Sequence, residues 1–385
     1  MRPSGILVYY HCRSNTGYAI GRHEPDFFTM AETLTGDMSH VHVGYTSLDG
    51  GFPDYLPSSF NNVIKFDPDV VKDLDQLSHY IKQNRIEIVF GFDQPVKSKS
   101  YRVMKKAGVK LIVSYWGAPM SDINHGVKLL FKRLQVRLTH YKPDHYIFQS
   151  KAMADSAVFG RGVSAEDVSV VYNAVDTNVY KPDISSWKYA YDHFKIPTNR
   201  KIFFYSGHME ERKGVHVIVN CAKELVDVRN RKDAHFLILG NVDGQEKRFE
   251  SMYLGTKAEG FITFGGYRND VSRIHSSCYA GVIASTGWDS FTMSSMEMAS
   301  SGLPLVVSDL QGLKETIEPE RTGFLVTPGD HMALADKIEV LLSDKELRDR
   351  MGRAARQRVV ENFSLKEHIA KLTDTVTRLY AETIL

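Results

Sequence analysis

The chain has 385 residues, 43% apolar and 24% charged, with a formal net charge of +2 at pH 7. That is the composition of an ordinary globular protein, long enough that two hydrophobic cores are expected rather than one. So even a charge balance argues against a broad nucleic-acid surface, and three scattered cysteines (Cys12, Cys221, Cys278) fit neither a disulfide framework nor a zinc-ligand spacing.

A reducing cytoplasm is the compartment this cysteine usage predicts. The N-terminal apolar run is only about one strand long before Arg13 interrupts it, so neither a signal peptide nor a spanning helix is expected.

In chain order, short continuous apolar runs predict strands at Ile6–Tyr10, Val41–Tyr45, Ile86–Phe90, Leu111–Ser114 and Tyr146–Phe148. A second set follows at Ile202–Ser206, Phe236–Leu239, Ile262–Phe264, Ala280–Ala284 and Leu305–Ser308. Continuous rather than alternating apolarity marks parallel strands covered on both faces. Helical spacing between the runs, as in Val215–Arg229 and Met332–Leu342, predicts α/β architecture with two doubly wound, Rossmann-like domains. The expected division is 1–180 and 181–364. The segment 365–385, capped by Ser364 with Glu367 three residues on, is a helix that either completes the second domain or crosses back onto the first. Open sheets of this kind bind ligands beyond the carboxyl ends of their strands, which directs attention to a cleft between the domains.

Several segments have the residue types for such binding. Asn15–Arg22 follows the first strand and holds Gly17 and Gly21, either to bring backbone close to a ligand or as a plain turn. Asp67-Pro-Asp69 reads as an acidic turn rather than a metal ligand pair, and no metal site is predicted anywhere. Tyr115, Trp116 and Gly117 form an aromatic strand exit suited to stacking on a sugar or, equally, to a core. The segment 125–142 has Lys128, Lys132, Arg133, Arg137 and Lys142 among leucines without an acid. Such a helix either lies on an anionic membrane or puts one face in the core, and the second reading is favoured here.

In the second half, Phe203–Gly214 is a strand, a glycine, then His208, Arg212 and Lys213 before a helix start, the parts of a diphosphate clamp or of a solvated turn. Ser285–Pro304 is a strand exit that enters a helix near Thr292, with Ser290, Thr292, Ser294 and Ser295 crowding its first turn. Backbone N–H groups left open there, together with the helix dipole, favour an anion. Asp289 just before this helix and Glu297 within it can accept hydrogen bonds from sugar or ribose hydroxyls; the alternative is a helix cap and a solvated helix residue.

In this order the segments resemble the retaining glycosyltransferase family 4, whose members adopt the GT-B fold. The resemblance is strongest over Tyr172–Phe363. It includes Asn173–Asp176, the Gly207–Gly214 loop, Phe264-Gly-Gly266, Gly312 with Glu315, and Gly323–Gly329. It implies a nucleotide-diphosphate sugar as donor, UDP-glucose first, and a saccharide or lipid-linked saccharide as acceptor. No cofactor and no nucleic acid are implied. Lys213 and Asp289 take the catalytic positions. Gly17, His208, Arg212, Lys213, Tyr267, Arg268, Asp289, Ser290, Phe291, Thr292, Met293 and Glu297 line the donor. Tyr115, Trp116 and Gly117 fall on the acceptor side. Where the family has an arginine and a glycine, this chain has His208 and Thr292. A same-fold epimerase or phosphorylase, and a non-catalytic two-domain binding protein, are the competing readings.

Overall fold

The computed structural model describes residues 2–384, without the side chains of Tyr18 and Ala19. It divides into two compact units, the first running to Tyr172 and taking in the segment from Lys366, the second running from Asn173 to Leu365.

The first unit is built on a seven-stranded parallel sheet. Its strands are β1 (Ile6–Arg13), β2 (Val41–Ser47), β3 (Val63–Lys65), β4 (Ile88–Phe92), β5 (Leu111–Trp116), β6 (His145–Phe148) and β7 (Val168–Val170), in the order β3-β2-β1-β4-β5-β6-β7. The order reverses between β1 and β4, where Ile6 pairs with Ile88 and Tyr10 with Phe92. The second unit carries six parallel strands: β8 (Lys201–Ser206), β9 (Ala234–Leu239), β10 (Ile262–Phe264), β11 (Cys278–Ile283), β12 (Leu305–Ser308) and β13 (Gly323–Val326), in the order β10-β9-β8-β11-β12-β13. Its switch point lies between β8 and β11.

Each sheet is buried by its own crossover helices. Ile6, Val8, Phe27, Val43, Phe90 and Val113 pack in one core of the first unit, and Phe203, Ile218, Phe236, Val282 and Ile338 in that of the second. The C-terminal helix Leu365–Glu382 packs into the first core through Leu372, Val376, Leu379 and Tyr380. Tyr380 Oη donates to Glu87 Oε2 at 2.6 Å, and the His368 ring bonds the Tyr172 carbonyl at 2.8 Å.

Two boundaries differ from the sequence reading. The first unit ends at Tyr172 rather than at 180, because Asn173–Tyr180 is stitched to the second unit. Val175 N–H donates to the Phe363 carbonyl, and the Arg356 guanidinium donates to the carbonyls of Thr177 and Tyr180. β4 starts at Ile88 rather than Ile86, since Ile86 and Glu87 serve the strand entry, with Glu87 N–H bonded to the Gly5 carbonyl. Three short strands, β3, β7 and β13, are absent from the sequence reading.

Candidate functional site

The two segments that the sequence marks as a phosphate clamp leave the carboxyl ends of β8 and β11, the neighbouring strands at the second unit's switch point. This is where a doubly wound sheet opens a crevice. Backbone bonds join the two loops directly: the N–H groups of Thr286 and Gly287 both donate to the Arg212 carbonyl, at 2.7 and 3.2 Å. Gly214 ends the first loop with φ 69°, and a Cβ there would collide with the Ala284 carbonyl. Gly214→Ala is therefore expected to cost about 3 kcal/mol, from left-handed strain plus displacement of the second loop. Chemical denaturation of the variant measures it.

Loop closure brings Lys213 onto Asp289. The ammonium donates to both carboxylate oxygens, at 2.9 and 3.0 Å, with the side chains only 15% and 3% exposed. Asp289 is held further by Ser285 Oγ (2.7 Å) and by the Ser290 N–H (3.1 Å). Its own backbone is fixed by Gln311, whose Oε1 accepts the Asp289 N–H at 3.2 Å, and by the Gly312 N–H, which donates to the Asp289 carbonyl. The sequence alone assigns no role to Ser285 or Gln311. A polar residue closing a strand, and one just ahead of Gly312, give too little pattern to find them.

Three residues after Asp289, Thr292 is the N-cap of the helix Met293–Ser300 and makes no side-chain bond to the helix backbone. Its hydroxyl donates to Ser295 Oγ instead, at 2.8 Å. The first-turn amides are thus uncapped by Thr292, the condition under which a helix start attracts an anion. Phe291 is buried with its ring 5.0 Å from that of Phe363, and its carbonyl accepts from Asn173 Nδ2 at 2.9 Å, which anchors the loop before the helix. Glu297 is buried within the same helix.

The other donor-side residues differ in how free they are to act. Arg212 is held in place: Nε pairs with Glu210 at 2.7 Å, Nη1 donates to the Trp288 carbonyl at 3.0 Å, and the guanidinium lies 4.2 Å from the centre of the Trp288 ring. The His208 ring is exposed, while its carbonyl accepts from Tyr205 Oη at 2.8 Å. Arg268 is clamped on Asp270, which also accepts from Tyr189 Oη at 2.6 Å; Tyr267 beside it is 71% exposed. Met293 and Ser290 are partly buried at the helix entrance.

In the first unit, Gly17 has φ 127° and open space where a Cβ would stand, so its glycine answers to backbone conformation rather than to packing within the fold. Tyr115 is fully buried among Phe27, Phe90 and Phe92, so of its two readings the structure gives it the core position. Trp116 is half-buried with its indole N–H on the Gln94 carbonyl at 3.2 Å. Gly117 N–H donates to Asp93 at 2.8 Å, and its carbonyl accepts from Gln149. The Asp93 carboxyl is raised above its usual range by burial, against the Gly117 N–H bond that lowers it.

Among the described residues one group has metal-ligand chemistry: His23, Asp26 and His368, all buried, with donor atoms within 4.8 Å of one another. Burial lowers the His23 ring to about 3 and the His368 ring to about 4, and raises Asp26 to about 7. Arg22 already places a cation beside this group, lowering both His23 and Asp26. We therefore assign the cluster to the docking of the C-terminal helix. Asp26 and His368 are too distant in sequence to have suggested it.

Comparison with known proteins agrees with this architecture. The model of glycosyl transferases group 1 matches residues 191–358, and that of glycosyltransferase family 4 matches residues 27–179. N-acetyl-alpha-D-glucosaminyl L-malate synthase of Bacillus anthracis is 27% identical over 208 residues; the match spans 54% of this chain and 52%, about half, of that relative's length. UDP-Gal:alpha-D-GlcNAc-diphosphoundecaprenol alpha-1,3-galactosyltransferase of Escherichia coli is 22% identical over 306 residues, covering 79% of this chain and 78% of that one. HepE of Anabaena, solved in complex with UDP-glucose, has the same fold, with a TM-score of 0.75 at 18% identity over 97% of this chain and 99% of that one. With two family models in tandem over two parallel Rossmann-like sheets, the chain belongs to the GT-B glycosyltransferases.

Proposed function

We propose that the protein transfers a sugar, with retention of configuration, from a nucleotide-diphosphate sugar to a saccharide or lipid-linked saccharide in polysaccharide or glycoconjugate synthesis. UDP-glucose is the first candidate donor. The carrying observation is the buried Lys213–Asp289 pair set just ahead of an uncapped helix start.

The donor diphosphate lies at the first-turn amides of the helix Met293–Ser300, with Lys213 supplying the positive charge. Asp289 would repel a phosphate, so its use is as an acceptor for hydroxyls of the transferred sugar, and Glu297 serves the ribose in the same way. Tyr267, exposed beside the clamped Arg268, offers its ring to the base. As the bond from the anomeric carbon to the phosphate oxygen breaks, charge grows on the leaving diphosphate, where Lys213 and the amides are already in place to stabilise it. The acceptor hydroxyl attacks from the same face and gives its proton to the departing phosphate oxygen. The route uses no protein base and no metal.

The E. coli relative, named for a diphosphoundecaprenol-linked acceptor, supports a lipid-linked acceptor. Under that reading the chain works at the cytoplasmic face of a membrane, with peripheral contact through 125–142. The matches to transferases favour this reading over a same-fold epimerase, a phosphorylase or a binding protein. A thermal-shift series with nucleotides and nucleotide sugars tests it. UDP or UDP-glucose at a hundredfold excess over its Kd should stabilise the chain by about 2.7 kcal/mol, and UDP-glucose should be slowly hydrolysed. If no nucleotide raises the melting point, the reading falls.

A further inference from the structure

The helix Gly126–Arg137 follows β5 in the chain and runs through most of the acid-free basic segment. Of its twelve residues only Val136 is buried, packed in the small core with Val96, Tyr146, Phe148 and Met153. The helix backbone at Lys132 and Arg133 sits directly on Gly162, where a Cβ would collide with it. Its inner side is therefore fixed by Val136 and by this close approach.

At 100° per residue, Val127, Leu130, Phe131, Leu134 and Leu138 fall in one stripe roughly 100° wide, on the side opposite Val136. The structure leaves that stripe in solvent: exposure runs from 52% at Leu134 to 82% at Val127, and Ile123, ahead of the helix, is 48% exposed. Lys128 and Lys132 flank it on one side, Arg133 and Arg137 on the other. No aspartate or glutamate occurs between Asp122 and Asp144. Scattered single apolar side chains are normal on a surface, but five in register on one helix are not. Their flanking cations decide what covers them, because an apolar stripe bordered on both sides by positive charge complements lipid tails beneath anionic headgroups.

We propose that this helix is a membrane-docking face that seats the first unit on an anionic lipid surface, its apolar stripe inserted at the headgroup boundary and its cations among the phosphates. Among the described residues no helix is long and apolar enough to cross a membrane, so the contact is peripheral. The inference deepens the reading of a lipid-linked acceptor. It is tested without donor or acceptor, so its failure would leave the transferase reading standing.

The full chain is floated with vesicles of phosphatidylcholine alone and with vesicles containing about one-third phosphatidylglycerol. The wild type should partition at least tenfold more strongly onto the anionic vesicles, with the advantage shrinking as salt rises. The triple variant Leu130→Asp, Phe131→Asp, Leu134→Asp should lose this binding more than tenfold while keeping its melting temperature, since each of these side chains is more than half exposed. Lys132→Gln with Arg133→Gln should weaken binding to the anionic vesicles and leave the residual binding to neutral ones unchanged. Absence of wild-type binding to either vesicle overturns the proposal. So does a concentration-dependent dimer in sedimentation that the triple variant abolishes, because the stripe would then be an interface between copies of the chain.

Discussion

Lys213→Ala is expected to lower turnover by about a hundredfold to a thousandfold, the usual cost of removing one preorganised group that stabilises developing negative charge. The same substitution also acts on the fold. Asp289 would be left nearly fully buried with only the Ser285 hydroxyl and the Ser290 N–H for its charge, and breaking one side of a buried ion pair costs about 3–5 kcal/mol. A loss of activity alone therefore cannot distinguish a chemical role from a collapsed loop. The double variant Lys213→Ala, Asp289→Asn separates them, because it removes the uncompensated charge while keeping an amide of similar shape. Its denaturation midpoint should recover most of the loss, while its turnover should lie about a hundredfold below that of Asp289→Asn alone, the baseline for losing the carboxylate. If Lys213→Ala keeps turnover within about threefold of the wild type, the lysine is structural and the proposed charge stabilisation is wrong. Full recovery of activity in the double variant would lead to the same conclusion.

That pair shows how far the sequence could be read. Each loop was visible by itself: a strand, a glycine and cations in one, a strand, hydroxyls and an acid in the other. Contact between them was not visible, because it follows from β8 and β11 being neighbours at the switch point, and strand order is set by packing rather than by any local run of residues. The same limit explains Gln311, which comes from another loop to hold the Asp289 backbone N–H.

The helix Gly126–Arg137 failed to read for a different reason. Apolar residues occupy Val127, Leu129, Leu130, Phe131, Leu134, Val136 and Leu138, so they fall on two opposite sides of the helix. Periodicity reports that a helix forms but not which side meets the core, and the side chosen is the one carrying Val136. Tyr115 is the converse case. As the penultimate residue of β5 it looks like an exit aromatic, yet the pleat turns it inward onto Phe27 and Phe92. Adjacent Trp116 stays half-buried.

Lowering the pH from 7.5 to 5.5 should destabilise both units steeply, through histidines buried in the neutral form. Burial lowers His42 and His145 to about 4 in the first unit, and His235 and His275 to about 3 in the second. His23 and His368 in the first unit are lowered in the same way, to about 3 and about 4. In the unfolded chain each ring takes a proton near pH 6.5. Between about 6.5 and 4 the unfolded state therefore holds more protons than the folded one, and stability falls with pH by about 1.4 kcal/mol per pH unit for each such ring. Asp26 works in the opposite sense. Its folded-state value of about 7 lies above that of a free carboxyl, so it favours folding as the pH drops and offsets roughly one histidine of the first unit. Glu24 and Asp93 in the first unit, whose carboxyls burial also raises, act in the same sense as Asp26. Urea denaturation at pH 7.5, 6.5 and 5.5 should show the midpoint holding down to about 6.5 and then dropping sharply. His275, whose Nδ1 bonds Ser301 Oγ at 3.0 Å while Nε2 is buried without a partner, provides the single-site check. His275→Gln should flatten the decline of the second unit by about 1.4 kcal/mol per pH unit below 6.5. A midpoint constant from 7.5 to 5.5 would mean that these rings are reached by water, and would remove buried neutral histidine as the source of acid sensitivity.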